Sequence, residues 1–173
     1  LLIESEMKDY ESLLTESEEA MELFPNQPAF FFFNGFALIQ KKQYEKALIP
    51  LNKGKVIVFN NNPLLVQFYA NLGDAYHQLK NYPLSDSSYE SALLTDSRNI
   101  YVLNNYSYYL SLRVEHLDKA EKMSKLSNEM EPNSPSFLDT YGWILYKGGK
   151  YADAKLWLYK AIGAGGQSNS VIL

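Results

Sequence analysis

Small residues return in this sequence at a nearly constant interval. Gly35, Gly73, Ser107 and Gly142 lie 38, 34 and 35 residues apart. A second series keeps the same period, with intervals of 38, 35 and 34 residues between Gly54, Ala92, Ser127 and Ala161. Two independent series in step indicate an internal repeat, and a repeat of this length holds one supersecondary unit.

The residues between the small positions predict two helices in each period. Apolar residues recur there at helical spacing, and Gly, Pro or Asn interrupts the pattern between segments. Two antiparallel helices approach to about 8–10 Å only where the side chains at their crossing are small. We therefore expect the helices of each repeat to cross at the small residues of the two series. The helices are predicted at 28–41, 44–58, 64–79, 82–95, 99–112, 116–130, 135–147 and 151–163. The predicted fold class is all-α.

The most regular repeat carries a characteristic set of residues. Its first helix contains Asn71-Leu72-Gly73-Asp74-Ala75-Tyr76, and its second contains Tyr82, Tyr89 and Ala92 at matching intervals. With Glu131-Pro132-Asn133 at the exit of the next repeat, this pattern resembles the tetratricopeptide repeat (TPR). The resemblance implies a right-handed superhelical solenoid whose first helices line a concave groove. In that family the groove usually binds an extended peptide or a partner helix.

The period divides the chain into about four repeats plus a leading helix, all in one domain. The leading helix, at 1–27, is expected to be the second helix of a partial repeat, and 167–173 the start of a truncated further helix. The TPR-like repeats are predicted at 28–62, 63–98, 99–134 and 135–166. Because the sequence begins at Leu1, we expect it to be a piece of a longer protein.

The leading segment is strongly acidic. Residues 1–28 carry eight acids against Lys8, a net charge of −7, which leaves +3 for the rest of the chain. A solvated outer face accounts for most such runs, and an acidic docking surface is the sharper alternative.

The helical phase of the small residues predicts which side chains line the groove. Beside Gly73, Ser107 and Gly142 the exposed stripe is rich in amides and aromatic rings. The predicted partner-binding residues are Asn71, Asp74, His77, Tyr101, Asn104, Asn105, Tyr108, Asp139, Trp143 and Tyr146. Amides can pair with a peptide backbone, and Tyr and Trp add rigid contact area. The alternative is that these are helix faces in contact with water alone.

The best-known TPR subclass holds a C-terminal carboxylate with Lys and Arg from successive first helices. Here the matching places hold Asn71, Asn104 and Asn105, and Lys147 is the base nearby. We therefore do not expect a clamp for a carboxylate tail. The acidic groove residue Asp74 should favour neutral or basic segments.

Composition and motifs argue against catalysis, cofactors and nucleic acid. A net charge of −4 and a pI near 5.2 do not fit a surface that follows phosphates. The sequence has no cysteine, no glycine-rich phosphate loop and no paired zinc histidines, and His77 and His116 fall on different repeats. We predict no enzymatic activity, no cofactor and no metal. No apolar run reaches the ~20 residues of a membrane span.

The predicted function is a protein–protein interaction scaffold that binds a protein or peptide in the groove. Two alternatives stay open: a non-catalytic recruiting or regulatory segment of a larger enzyme or envelope protein, and a glycan or small-ligand cleft of Tyr101, Tyr108, Trp143 and Tyr146. Uncapped repeat ends predict weak self-association. A Cys-free chain is compatible with the cytoplasm and with a bacterial periplasm or cell envelope.

Overall fold

Within each of two compact units of this chain, successive helices pack side by side with short turns between them. A computed structural model describes residues 9–165, and within that range the chain forms nine α-helices and no strand. They are α1 (Tyr10–Leu23), α2 (Pro28–Gln40), α3 (Tyr44–Ile57), α4 (Asn62–Gln78), α5 (Tyr82–Thr95), α6 (Ile100–Arg113), α7 (Leu117–Met130), α8 (Pro135–Lys147) and α9 (Tyr151–Gly163). The all-α helical-repeat prediction is confirmed, and α2 to α9 begin and end within two residues of their predicted bounds.

The leading helix begins within the described range. Asp9 caps α1, because its carboxylate accepts a hydrogen bond from the Ser12 backbone N–H at 3.1 Å. The part of the predicted leading helix before Asp9, and the further helix predicted at 167–173, lie outside the described residues.

The chain divides into two compact units between Ser97 and Arg98. The first unit contains α1 to α5, and in it α2 packs against α1, α3 and α4. The second contains α6 to α9, and in it α8 packs against α6, α7 and α9. Within each unit, the first helix of a repeat therefore contacts the first helix of the next repeat as well as its own second helix.

The predicted small residues lie where the two helices of a repeat cross. A Cβ atom added to the glycine would lie 2.5, 2.7 and 2.8 Å from a partner side-chain carbon in the pairs Gly35–Leu51, Gly73–Tyr89 and Gly142–Leu158, respectively. A Cβ atom added to Gly54, late in α3, would lie 2.6 Å from the Phe31 side chain, early in α2. Because the end of one helix lies beside the start of the other, these helices run antiparallel. Packed protein interiors leave no room for the missing methyl groups. Glycine is therefore required at these positions by the distance between the helices.

The third repeat reaches the same fit with two serines. Ser107 replaces the glycine, and Ser124 stands at the position that Leu51, Tyr89 and Leu158 occupy in the other repeats. Both serines are fully buried, and the Ser107 hydroxyl donates to a backbone carbonyl one turn earlier at 2.8 Å. The larger first residue is thus offset by a smaller second one, which conserves the volume of the crossing.

Buried side-chain hydrogen bonds connect neighbouring helices. Asn34 Nδ2 donates to Ser17 Oγ at 3.1 Å, Ser85 Oγ donates to the Gly73 carbonyl at 2.8 Å, and Asn128 Nδ2 donates to the Phe137 carbonyl at 2.9 Å. A helix that slid along its neighbour would leave these polar groups buried and unpaired, at a cost of about 1–3 kcal/mol each. These bonds therefore fix the register of the pairs.

The turns between helices follow from the chemistry of Asn and Gly. Asn61, Asn81 and Asn99 cap α4, α5 and α6, and each side chain accepts the N–H of the residue three places further on. Gly149 adopts φ of +77° between α8 and α9, which is the left-handed conformation predicted for that turn.

Gly73→Ala should destabilise the protein although alanine is the better helix former. The added Cβ would meet the Tyr89 ring at 2.7 Å, and that ring is fully buried and cannot move aside freely. We expect a loss of about 1–3 kcal/mol in the free energy of unfolding, measured by urea denaturation.

Gly163→Ala is the matched control, because a Cβ there meets no atom within 4 Å among the described residues. This variant should change the stability by less than about 0.5 kcal/mol or raise it slightly. Equal stability of the two variants would mean that the α4–α5 crossing does not depend on glycine.

Candidate partner-binding faces

Two first helices of the second unit, α6 and α8, carry the predicted groove residues of the third and fourth repeats. Positions 101, 105 and 108 follow one stripe of α6, and positions 139, 143 and 146 follow one stripe of α8. The helices are in contact, and Tyr101 packs edge-on against Phe137 with ring centroids 6.0 Å apart. We call the following six residues the α6/α8 face: Tyr101, Asn105, Tyr108, Asp139, Trp143 and Tyr146.

The aromatic rings of the α6/α8 face remain open to solvent after the helices have packed. Tyr101 is 65% exposed, Tyr108 40% and Tyr146 36%. Trp143 is half-buried and stacks on Tyr146, with centroids 5.8 Å apart and planes 26° apart. Exposed rings beside a half-buried tryptophan are typical of interface anchors, because they have apolar area left to bury.

Two residues outside the predicted set extend this surface. Tyr151, in the first turn of α9, packs against Tyr146 with centroids 5.4 Å apart and is 65% exposed. Lys147 places its Nζ atom 4.6 Å from the centroid of the Trp143 ring, a cation–π contact. The helical phase missed Tyr151 because it belongs to a second helix. The short turn between α8 and α9 was the sequence signal that brings it beside Tyr146.

Asn104 lies in the interior rather than on the α6/α8 face. Its side chain is 8% exposed, and its Nδ2 atom is 3.4 Å from Asn105 Oδ1. One residue is about 100° of rotation round a helix, so Asn104 turns into the packed side of α6 while Asn105 stays half-exposed. A partner would reach Asn105 directly, whereas contact with Asn104 would require the helices to move.

Asp139 is a half-buried carboxylate on α8. Within residues 9–165 it forms no hydrogen bond and no ion pair. Burial raises the pKa of this carboxyl above its ordinary value, because desolvation disfavours the charged form. The two bases of α6 and α8 are engaged elsewhere: Lys147 lies over Trp143, and Arg113 Nε donates to Glu115 at 2.9 Å.

In the first unit, the predicted residues lie on α4, and all three have contacts within their own helix or the next. Asn71 Nδ2 donates to the Gln67 carbonyl at 2.8 Å. The His77 ring packs on Tyr82 at the start of α5, with centroids 5.5 Å apart. Both Asn71 and His77 are half-buried, so each keeps part of its surface for a partner.

Asp74 differs from Asp139 in having a partner inside its unit. Its carboxylate accepts a hydrogen bond from the hydroxyl of Tyr89, the buried residue that faces Gly73. The phenol offsets part of the desolvation of the carboxylate. Asp74 therefore has a structural role, whereas Asp139 is without such support in the described part of the chain.

The acidic face of α1 is partly neutralised within the first unit. Glu11 forms an ion pair with Lys41. Glu18 lines a cleft of about 320 Å³ together with Lys46 and Lys53, over an apolar floor that includes Phe31. These lysines reduce the net negative charge that the sequence places on this side of the unit.

A charged cleft of about 350 Å³ lies on the second unit, lined by Asp118, Glu121, Lys122, Lys125 and Lys150. Lys150 Nζ contacts both carboxylate oxygens of Glu121 at 2.7 Å, so acids and bases pair within it. Across residues 9–165, no three side chains of the metal-binding types are grouped as a site. No helix in the described range has both the length and the apolar character needed to cross a membrane.

Comparisons with known proteins agree with this architecture. PilF of Pseudomonas aeruginosa, a type IV pilus assembly protein, is 26% identical over 140 residues, which cover 80% of this chain and 54% of PilF. A TPR repeat-containing protein of the same organism is 34% identical over 64 residues, 37% of this chain and 11% of that protein. The structure of YrrB, a TPR protein with an unusual peptide-binding site, has a TM-score of 0.69 at 18% identity and covers 94% of this chain and 81% of YrrB. No protein-family model matches the chain.

The helix-pair repeat, the small-residue crossings and these similarities identify the class: the chain has the tetratricopeptide-repeat fold. Proteins with this repeat are generally non-catalytic scaffolds for protein–protein interactions. The likeness to YrrB shows the fold alone, and both sequence relatives are bacterial. The chain spans about half the length of PilF and a small part of the other relative.

Asp139→Asn should make the folded protein more stable at neutral pH. Because burial raises the pKa of Asp139, the folded state holds this proton more tightly than the unfolded chain. The stabilisation from the proton is fully present below the ordinary carboxyl pKa of 3.8 and is lost as the pH rises through the higher folded pKa. The neutral amide avoids that loss, so the advantage of the variant in urea denaturation should grow from acidic to neutral pH.

Glu131→Gln is the matched control, since it removes one exposed acid from the same unit. Its stability should differ from the wild type by less than about 0.5 kcal/mol across the same pH range. A variant Asp139→Asn that is less stable than the wild type at pH 7 would show that the carboxylate has a stabilising partner.

Proposed function

We propose that the protein is an adaptor that binds an extended peptide or a partner helix on the inner faces of its first helices. In the second unit, the binding surface is the α6/α8 face. The observation that carries this proposal is a row of exposed rings on helices whose packing is already complete, formed by Tyr101, Tyr108 and Tyr146. Exposure of three large rings on one surface has no role in the fold itself.

The chemistry of the α6/α8 face suits a polypeptide ligand. The rings supply rigid apolar contact area and hydroxyl groups, and the Asn105 amide can both donate to and accept from a peptide backbone. Each such backbone contact contributes only about 0.5–1.5 kcal/mol net, and the ligand must be ordered on binding. We therefore expect micromolar or weaker affinity, with the rings as the main source of binding energy.

The first unit would add contacts through α4. Asn71 is equivalent to Asn105 two helices earlier in the sequence pattern, and His77 is half-exposed one and a half turns further along α4. Asp74 would shape the charge of this surface while its carboxylate stays bonded to Tyr89.

The similarities to YrrB and PilF also support an adaptor that binds a polypeptide. YrrB is a TPR protein with a peptide-binding site, which supports a peptide as the ligand here. PilF takes part in type IV pilus assembly, which supports a role for this chain in the assembly of a multiprotein structure. The similarity to PilF thus favours an assembly adaptor over a segment that regulates an enzyme.

Tyr108→Ala and Trp143→Ala should each weaken peptide binding at least fivefold, which corresponds to about 1 kcal/mol. Each of these changes removes an aromatic anchor. The double variant Asn71→Ala with Asn105→Ala should weaken the binding of ligands whose sequences are unrelated, because amides pair with the peptide backbone. The ligands would be peptides selected from a random library on the wild-type protein, with affinities measured by fluorescence anisotropy.

Tyr159→Ala is the matched control, because Tyr159 is an exposed ring of the same unit on α9, outside the α6/α8 face. It should leave affinity unchanged, as should Glu18→Ala on the acidic helix α1. Binding that survives Tyr108→Ala with Trp143→Ala but fails when the α1 acids are neutralised would move the site to α1 and contradict the proposal.

A further inference from the structure

The α6/α8 face contains a carboxylate that the described residues of its unit leave without a hydrogen bond or ion pair. Asp139 is half-buried and has no hydrogen bond or ion pair within residues 9–165. The other helix of this face, α6, carries one charged residue, Arg113, which lies at the far end of the helix and is bonded to Glu115. Lys147, the other charged residue of α8, lies two helical turns from Asp139 and over the Trp143 ring.

Trp143 follows Asp139 by one turn on the same stripe of α8, and Tyr101 and Tyr108 lie on the neighbouring stripe of α6. The 4.6 Å contact of the Lys147 ammonium with the Trp143 ring shows that this ring accepts a cation. A carboxylate next to π faces is complementary to a cationic side chain that is also flat.

We propose that the α6/α8 face binds an arginine side chain of the partner, with the guanidinium paired to Asp139 and laid against the rings of the face; this rests on the proposed function. Arginine fits better than lysine, because its planar guanidinium can hydrogen-bond a carboxylate through two N–H groups while it stacks on a ring. Guanidinium is also more weakly hydrated than ammonium, so it loses less on entering a half-buried site.

The contrast with the first unit supports this assignment. Asp74 accepts a hydrogen bond from the Tyr89 phenol, so its charge is already solvated by the protein. Asp139 lies three residues before Gly142, whereas Asp74 directly follows Gly73, so Asp139 is about one helical turn away from the level of the helix crossing. Within residues 9–165 its carboxylate has no hydrogen bond or ion pair and is open to a group of the partner.

The test uses peptides selected from a random phage library on the wild-type protein. The selected sequences should be enriched in arginine, and each would be synthesised with the arginine and with citrulline, its neutral isostere. The exchange to citrulline should lower affinity at least fivefold for the wild type and less than twofold for Asp139→Asn, so that the two changes couple in a double-mutant cycle. Circular dichroism would show that the variant is folded.

The control variant Glu131→Gln removes an exposed acid outside the face and should retain the full preference for arginine over citrulline. An arginine preference that persists unchanged in Asp139→Asn would overturn the assignment. Equal affinity after exchange of arginine for lysine would also overturn it, because a simple charge contact would then explain the binding.

The outcomes separate this inference from the proposed function. Peptides that lack basic residues but lose affinity on Trp143→Ala would overturn the arginine site and leave peptide binding on the α6/α8 face intact. Peptides that bind equally well to Trp143→Ala and Tyr108→Ala would overturn the proposed function and the arginine site together, as would a selection that yields no binding peptide.

Discussion

The close approach of the two helices within each repeat is the constraint on which the rest of the structure depends. Glycine at positions 35, 73 and 142 has no Cβ atom. A large side chain of the partner helix therefore occupies the space that a methyl group would otherwise fill. The third repeat makes the same crossing with a pair of serines in place of glycine and a large residue. What is conserved along the chain is therefore the volume at the crossing, and the identity of either residue is secondary.

Tight crossings also determine where functional groups can lie. Within each unit, a first helix packs one side against its own second helix and another side against the neighbouring first helix. A third stripe of the helix takes no part in this packing. In the second unit, that stripe carries exposed rings and a carboxylate without a partner among residues 9–165, features that add nothing to the stability of the repeat. Groups retained at a cost to stability are more typical of binding sites than of structural surfaces.

The two acidic residues on the inner stripes show how one fold produces different surfaces. Tyr89 fills the crossing of the second repeat and also reaches Asp74 with its hydroxyl, so packing and charge are satisfied by one side chain. Asp139 lies three residues before Gly142 instead of directly after it, and it has no hydrogen bond or ion pair within residues 9–165. The position of an acid along the first helix therefore changes its electrostatic environment without altering the helix arrangement.

By itself, the sequence determined the period, the helix bounds and the crossing positions, because these depend on local periodicity and on residue size at fixed intervals. It also placed Tyr101, Tyr108, Trp143 and Tyr146 on the inner stripes, although their role in binding stays a prediction. Only the tertiary structure decided that Asn104 is buried, that the Tyr89 hydroxyl donates a hydrogen bond to Asp74, and that the Tyr151 ring packs against the Tyr146 ring. These pairings depend on the rotation of one helix against another and on how far each side chain reaches, and residue spacing along the chain specifies neither.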